Sequence, residues 1–215
     1  MAMNQRTKIV VVGGGGHAKV VISILKKLKT FDILGYTDLK DNGPILGAPF
    51  LGTDDILKDL KRQRVALSGI IGLGAVRVSD KRKQLWNMLI REGLDLPVVV
   101  SPAAVVNEDV SIGQGTVVLD GAVINSGSRI GRNCVINTNS TVEHDCEIGD
   151  HAHVASGATL GGGVKVGENS MVGAGATVIQ YVSICPECMV GAGTVVIKDI
   201  SEPGIYVENP ARKLR

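Results

Sequence analysis

The stretch IGRNCVINTNSTVEHDCEIGDHAHVASGATL, residues 130–160, has Val, Ile or Leu at every sixth position. This period runs without a break from Val100 to Val196, over seventeen hexads. Four residues after each aliphatic position a small residue usually follows, and only Ile200 is large there. A period of six fits neither an amphipathic helix nor a simple alternating strand. It predicts a solenoid of short strands, in which the aliphatic side chains fill the interior and the small residues permit the corners.

The hexads resemble those of the left-handed parallel β-helix, in which three hexads make one coil. This resemblance implies an all-β domain of about five to six coils, in which each residue lies above the one that precedes it by 18 positions.

A different pattern precedes the solenoid. Lys8–Val12 is an apolar run typical of a buried strand, the four glycines 13–16 predict a turn, and residues 18–28 have helical periodicity. A second strand is predicted to end at Thr37-Asp38. This order predicts an α/β, Rossmann-like βαβ domain over residues 1–97. The β-helix and a C-terminal tail then occupy residues 98–215, because Pro97 and Ser101-Pro102 interrupt the pattern.

The glycines predict a phosphate site, since they let backbone N–H groups and a helix N-terminus approach an anion. Asp38 follows about twenty residues later, where a carboxylate can bind a ribose or a base. Gly13, Gly15 and Ala18 also match the GxGxxA pattern of an NAD site, but the domain is short for a dinucleotide. We expect a mononucleotide or nucleotide-sugar, with Gly72 at the same sheet edge. The alternative is that the glycines serve only a tight turn. His17 either contacts the ligand or caps the helix.

The three other histidines lie within ten residues, at 144, 151 and 153. His144 is third in its hexad and is predicted to point outward, because Val142 and Cys146 fill the interior positions. Asp145 follows it directly, and a neutral imidazole held by a carboxylate is a general base suited to neutral pH. His151 has no clear partner in the sequence, and we expect it on the surface.

His153 follows His144 by half a coil, which places the two side chains on different sides of the prism. One chain is therefore not expected to bring them together, whereas two chains can. We predict a homotrimer with active sites between subunits, each taking His144 from one subunit and His153 from its neighbour.

We predict no metal site. The histidine spacing does not match the widely separated zinc ligands of β-helix carbonic anhydrases. Cys134, Cys146 and Cys188 occupy the small-residue position of the hexad and are expected to behave as small hydrophobes. Cys185 and Cys188 form a CxxC, but the repeat explains this spacing, and we predict neither a metal nor a redox role for it.

Composition argues against several classes. The net charge is +2, with 23 basic and 21 acidic side chains and no basic cluster, so nucleic-acid binding is not expected. The absence of a long apolar run and of an apolar leader predicts no membrane insertion and a cytoplasmic protein.

Several features together resemble one family. They are Gly15-Gly16-His17, Thr37-Asp38, Ser101-Pro102, Glu143-His144-Asp145 and His153, and the closing Asn209-Pro210-Ala211-Arg212. The chain resembles the sialic acid O-acetyltransferase NeuD family, and within it the bacterial nucleotide-linked amino-sugar N-acetyltransferases. It departs from the family pattern in having Asp145 where Glu is more usual and Glu208 where Gly is usual.

The resemblance implies transfer of acetyl from acetyl-CoA to the 4-amino group of a nucleotide-sugar. It implies His144 as the base and Asp145 as its orienting carboxylate, without a covalent enzyme intermediate. His153 and the backbone of Gly162, Ala174 and Ala192 would bind acetyl-CoA. The nucleotide end would be held by Gly15, Gly16, His17, Thr37, Asp38 and Gly72.

Three rival functions stay open at this point. The same base supports O-acetylation of sialic acid or a related sugar hydroxyl. A second alternative is an NAD-dependent enzyme with a structural β-helix. The third is a non-catalytic scaffold that uses the solenoid only to form a trimer.

Overall fold

The computed structural model describes residues 6–63, 67–74, 78 and 80–214. Contacts divide the chain into two compact units. The first is formed by the chain up to Gly74 together with Lys81–Pro102, and the second comprises the chain from Ala103 onward together with Asp80.

The first unit is a four-stranded parallel sheet with helices, as the βαβ pattern predicts. The sheet order is β3-β2-β1-β4, so the chain reverses its direction of travel across the sheet between β1 and β4. The elements are β1 (Thr7–Val12), α1 (Gly16–Leu28), β2 (Phe31–Thr37), β3 (Phe50–Gly52), α2 (Ile56–Arg62), β4 (Leu67–Ile71), α3 (Lys81–Arg91) and β5 (Val99–Val100).

Burial explains why these segments form. Strand β4 is buried along its whole length, as is typical of a strand covered on both faces. Helix α1 buries the side chains of Ala18, Val21, Ile22, Ile24 and Leu25, which is the apolar stripe of an amphipathic helix. It begins at Gly16, two residues before the predicted start, and Gly15 is its N-cap.

The second unit has the predicted solenoid architecture. Its strands are β6 (Val105–Val106), β7 (Ser111–Ile112), β8 (Val117–Val118), β9 (Val123–Ile124), β10 (Arg129–Ile130), β11 (Val135–Ile136), β12 (Thr141–Val142), β13 (Glu147–Ile148), β14 (His153–Val154), β15 (Thr159–Leu160), β16 (Lys165–Val166), β17 (Met171–Val172), β18 (Thr177–Val178), β19 (Ser183–Ile184), β20 (Cys188–Val190), β21 (Val195–Val196), β22 (Gly204–Val207) and β23 (Arg212–Lys213).

From β6 to β21 the strands stack into three parallel sheets in which paired residues are one coil apart. Strand β22 continues the third sheet in parallel, and β23 pairs antiparallel with β22. One sheet runs β7-β10-β13-β16-β19 and the second runs β6-β9-β12-β15-β18-β21. The third contains β8, β11, β14, β17, β20, β22 and β23 in that order, and Val135 in it pairs with Val117 and His153. The unit is therefore a left-handed parallel β-helix with 18 residues per coil.

Its interior follows the hexad. From Val118 to Val196 every aliphatic hexad position is at most 4% exposed. The small-residue positions are buried as well, including all three cysteines placed there. The earlier positions Val106 and Ile112 are only half-buried, since they belong to the first coil.

Each corner has the same backbone conformation. Every sixth residue from Asp109 to Gly193 has a positive φ. Glycine, Asn and Asp, which tolerate this left-handed region, occupy most of these corners. His151, Tyr181 and Glu187 are the exceptions, with φ values of 62°, 60° and 59°.

Candidate active site

His144 lies at a corner of the β-helix, in the turn that follows β12. Its side chain is 57% exposed, as predicted from its place in the hexad. Nδ1 of His144 lies 2.8 Å from Oδ2 of Asp145. Because an ionised carboxylate can only accept, Nδ1 of the neutral ring carries the proton. Nε2 then has a free lone pair, which is what a general base requires.

The His144 ring lies against Gly162, which stands one coil further along. A Cβ on Gly162 would be 2.5 Å from Nε2 and 2.6 Å from Cε1 of His144. The two coils are joined at this point, because the backbone N–H of Gly163 donates to the carbonyl of His144 at 2.8 Å. Only glycine at 162 leaves this space for the imidazole.

Asp145 occupies the next corner position, where φ is 58°. Its backbone N–H donates to Ser126 O at 3.1 Å. A Cβ on Gly127, one coil before, would be 2.4 Å from Oδ1 of Asp145. The missing side chain at Gly127 therefore makes room for the carboxylate that holds His144.

Glu143 has a separate set of partners. Its Oε2 accepts from Nδ2 of Asn125 at 2.8 Å, and Oδ1 of Asn125 accepts from Nδ2 of Asn107 at 2.6 Å. This ladder binds the Glu143 carboxylate to the preceding coils, and Asp145 is the carboxylate that contacts the imidazole.

His153 lies on another side of the prism, in strand β14 of the third sheet. It is 6% exposed, and its Nε2 lies 3.0 Å from Nδ2 of Asn137. Within one chain His144 and His153 therefore lie apart, as predicted. Asn137 was not expected from the sequence, because a pair 16 residues apart gives no local signal.

The other two residues predicted to bind acetyl-CoA share a different corner. Ala174 and Ala192 are exposed and are separated by one coil, and Gly193 N donates to Ala174 O at 2.9 Å. Gly162 lies on the corner that carries His144. A single chain thus brings Ala174 and Ala192 together but separates them from Gly162.

Tyr181 lies one coil beyond the Gly162 corner and was not identified from the sequence. Its side chain is 73% exposed, and a Cβ on Gly163 would be 2.6 Å from its Cδ1 atom. The backbone of Tyr181 has a φ of 60°, and a positive φ is unusual for an aromatic residue. The ring adds an exposed apolar surface beside the corner that carries the base.

His151, which was predicted to lie on the surface, has a side-chain partner that the sequence did not indicate. It is half-buried, and its Nδ1 lies 2.9 Å from Nδ2 of Asn133. This partner was not visible in the sequence, because Asn133 is 18 residues away and becomes a neighbour only when the coils stack.

In the first unit, a cavity of about 610 Å³ lies at the carboxyl ends of β1 and β2. Ligands of open parallel sheets bind at this edge, where the order of strands reverses. Of the predicted residues, Gly15, Thr37 and Asp38 line the cavity. The other lining residues are Val12, Gly13, Gly14, Leu39, Asp54, Leu73, Lys81, Gln84, Leu85 and Met88.

Both predicted polar side chains at this edge also have protein partners. Oγ1 of Thr37 donates to Oδ1 of Asp54 at 2.6 Å, and Thr37 is fully buried. Oδ2 of Asp38 accepts from the backbone N–H of Gly14 at 2.8 Å. A carboxylate has lone pairs for further donors, so Asp38 keeps capacity for a ligand hydroxyl.

Gly16, His17 and Gly72 lie outside the cavity lining. Gly72 is packed, since a Cβ there would be 2.7 Å from Cγ1 of Val11 and 2.9 Å from Cβ of Ala18. Gly16 is the first residue of α1, and His17 is half-buried beside Gly74.

Four residues that line the cavity were not predicted from the sequence: Gly14, Asp54, Lys81 and Gln84. Gly14 belongs to the glycine run. The other three come from the β3–α2 connection and helix α3, and only the tertiary fold places these segments at one edge.

The described parts of the chain contain no group of three or more His, Cys, Asp or Glu side chains arranged to hold a metal ion. Among the described helices, none has the length and apolar character needed to cross a bilayer.

Known proteins match both units. The PglD N-terminal domain model matches residues 8–89. The bacterial transferase hexapeptide model matches residues 127–162, and the hexapeptide repeat of succinyl-transferase matches residues 163–198. No curated protein matched the chain.

Solved structures match over almost the whole length. The acetyltransferase domain of PglB from Neisseria gonorrhoeae FA1090 is 33% identical with a TM-score of 0.90, over 97% of this chain and 100% of that one. PerB from Caulobacter crescentus, solved with CoA and GDP-perosamine, is 35% identical with a TM-score of 0.90, over 97% of each chain. WeeI from Acinetobacter baumannii AYE is 26% identical with a TM-score of 0.84, over 97% of this chain and 100% of that one.

Fold and site together define a hexapeptide-repeat acyltransferase with an N-terminal parallel sheet. The chain belongs to the PglD-type family of hexapeptide-repeat sugar N-acetyltransferases.

Proposed function

We propose that the chain transfers acetyl from acetyl-CoA to the 4-amino group of a nucleotide-linked amino-deoxysugar. The observation that carries this proposal is the exposed His144 imidazole, whose Nδ1 is held 2.8 Å from Asp145. The relative solved with CoA and GDP-perosamine supports the same pair of substrates.

The chemistry at His144 follows from its geometry. Acetyl-CoA supplies an acyl group activated as a thioester. An amine attacks that carbonyl carbon through its lone pair, and the nitrogen must lose a proton as the C–N bond forms. Nε2 of His144 accepts this proton, and the carboxylate of Asp145 stabilises the resulting imidazolium. The C–S bond of the tetrahedral intermediate then breaks, the imidazolium returns the proton to the sulfur, and CoA leaves as a thiol. General-base assistance of this kind is worth about 10²- to 10⁴-fold in rate.

The cavity in the first unit is the proposed site for the nucleotide end of the substrate. Gly15 and the N-terminus of α1 offer backbone N–H groups to a diphosphate, and Lys81 adds a positive charge at the same cavity. Asp38 offers acceptor oxygens to a ribose or base. Leu39 is 93% exposed and gives the cavity an apolar side chain for the base. The roles of Gly16, His17 and Gly72 in this site stay predictions.

We further propose a homotrimer in which each active site takes His144 from one subunit and His153 from the next. The separation of these histidines on different sheets supports this arrangement. His153, Gly162, Ala174 and Ala192 would then contact acetyl-CoA from two subunits. A cytoplasmic location is proposed with it, because acetyl-CoA and nucleotide-sugars are cytoplasmic metabolites.

Mixing two variants that each lack one of these histidines tests the shared site. His144→Ala and His153→Ala subunits, unfolded together and refolded, should regain about a quarter of the wild-type sites, since an intact site then needs one subunit of each kind. Each variant refolded alone is the control. Failure to regain activity, with mixed oligomers shown by native mass spectrometry, contradicts a site shared in this way.

Thiol release from acetyl-CoA, measured against a panel of nucleotide-linked 4-amino-sugars, tests the reaction itself. We expect release with at least one panel member and a new amide in the product by NMR. A new ester instead of an amide would establish O-acetylation. Absence of acetyl-CoA binding, or tight binding of NADH, would overturn the proposed function.

A further inference from the structure

Two of the four cysteines lie in contact with each other. Sγ of Cys185 is 2.9 Å from Sγ of Cys188. The other two thiols point to backbone carbonyls, since Sγ of Cys134 lies 3.1 Å from Gly149 O and Sγ of Cys146 lies 3.3 Å from Gly161 O. The repeat places Cys188 in the interior, and the corner after β19 brings Cys185 against it.

The two thiols differ in access to solvent. Cys188 is 0% exposed, whereas Cys185 is half-buried. Burial, together with the hydrogen bond to Cys185, raises the pKa of Cys188 to about 12. Thiolates are the attacking species in thiol–disulfide exchange, and access limits their rate. Cys185 is therefore the thiol that reacts first, and Cys188 is the one that resolves.

We propose that Cys185 and Cys188 form a reactive dithiol, which a low-molecular-weight disulfide converts reversibly into an intrachain disulfide. From the sequence no redox role was predicted for this CxxC, because the repeat explains its spacing. The contact between the two sulfur atoms is the observation that changes this. A disulfide needs the sulfur atoms at about 2.05 Å, so a shift of about 1 Å at one corner closes it.

The steps balance with glutathione disulfide as the oxidant. The Cys185 thiolate attacks one sulfur of the reagent, a mixed disulfide forms, and the first glutathione thiolate leaves and takes up a proton. Cys188 loses its proton and attacks Sγ of Cys185, and the second glutathione leaves as a thiol. The protein loses two protons and two electrons, which together are two hydrogen atoms, and the reagent gains them as it becomes two glutathione thiols.

Closure would also change a contact with the C-terminal strands. Sγ of Cys188 donates to Glu202 O at 3.4 Å, and Cys188 pairs with Gly204 of β22. The disulfide removes this thiol proton. Oxidation of the two thiols would therefore alter a contact with the segment that leads into β22.

The test treats the folded, reduced protein with glutathione disulfide and follows free thiols, intact mass and peptide maps. We expect loss of two thiols, a mass lower by two hydrogen atoms, and a Cys185–Cys188 linkage that dithiothreitol reverses. Cys134 and Cys146 should stay reduced and are internal controls.

Two variants assign the order of attack. Cys188→Ser should retain one glutathione on Cys185, because no thiol resolves it. Cys185→Ser should not react under the same conditions, and Cys185→Ala replaces it if circular dichroism shows that the serine variant is unfolded. Four persisting thiols in the wild type, or a stable glutathione adduct in place of the disulfide, would overturn the proposal.

Discussion

His144 and His151 stand at neighbouring corners of the β-helix, and they differ in what lies one coil away. Beyond His144 stands Gly162, which leaves the imidazole room, and the side chain is 57% exposed. Before His151 stands Asn133, whose amide lies 2.9 Å from the ring, and His151 is half-buried. The comparison teaches that in a solenoid the use of a side chain depends on residues 18 positions away, since each coil contacts only its neighbours.

The largest expected effect comes from His144→Ala. Turnover should fall by about 10²- to 10⁴-fold, because the base is lost, while acetyl-CoA still binds. Steady-state thiol release and calorimetric titration with acetyl-CoA measure both. His151→Asn is the matched control. The new Asn would lie one coil from both Asn133 and Asn169, and Asn tolerates the positive φ of this corner. Turnover should therefore change by less than about threefold. Equal losses in both variants would contradict the different roles assigned to the two corners.

Gly162→Ala should rank second, since its Cβ would overlap the imidazole and displace it. Displacement of a catalytic group by about 1 Å costs about 10²-fold in rate. The fall should appear in kcat.

The control for Gly162→Ala is the same change in a His144→Ala background. There it should cost little further activity, because the ring that it displaces is already absent. If the two losses multiply, Gly162 acts through something other than His144.

Asp145→Asn should have a smaller effect on turnover, about tenfold. Asn tolerates the positive φ of this corner, so only the charge and the acceptor are lost. Both side chains are exposed, at 57% and 71%, and water competes for the interaction. A hydrogen bond to a charged group contributes about 1.5–3 kcal/mol. The lower end of this range corresponds to about tenfold in rate. We expect kcat to fall and KM to stay near its wild-type value. An unchanged kcat would show that Asp145 does not orient the base.

The smallest effect is expected at Asp150, beside His151. Its carboxylate accepts from Arg132 at 2.6 Å through the guanidinium and at 2.7 Å through the backbone N–H. Burial acts to raise the pKa of Asp150, but these hydrogen bonds and the charge of Arg132 outweigh it and hold the pKa below its usual value. Asp150→Asn should lower the free energy of unfolding by about 1 kcal/mol and leave turnover unchanged.

The pH dependence of the free energy of unfolding shows whether the Asp150 carboxylate stabilises the protein through its charge. A lowered pKa in the folded state stabilises the protein above the ordinary carboxyl pKa of about 3.9, and the stabilisation is lost as pH falls through the folded value. The difference in urea midpoint between wild type and Asp150→Asn should therefore stay constant from about pH 7 to about pH 5 and shrink as the pH falls further. A difference that stays constant at the lower pH values as well would assign the effect to packing instead of charge.

Much of the fold was predictable, because its determinants repeat or are local. The hexad specified the coil and the outward position of His144, and the apolar run, glycines and helical pattern specified the βαβ unit. The site was predictable only where neighbours in sequence form it, as with His144 and Asp145. Asn137, Tyr181, Asp54 and Lys81 carry no local signal, since their contacts join segments distant in the chain.

By itself the sequence determined the architecture and the separation of His144 from His153, because a strict period assigns each residue to a face of the prism. Only the tertiary structure decided which side chains touch across coils. The Gly162 space beneath His144, the Asn133 partner of His151 and the contact between Cys185 and Cys188 all depend on the distances between packed side chains, which periodicity does not encode.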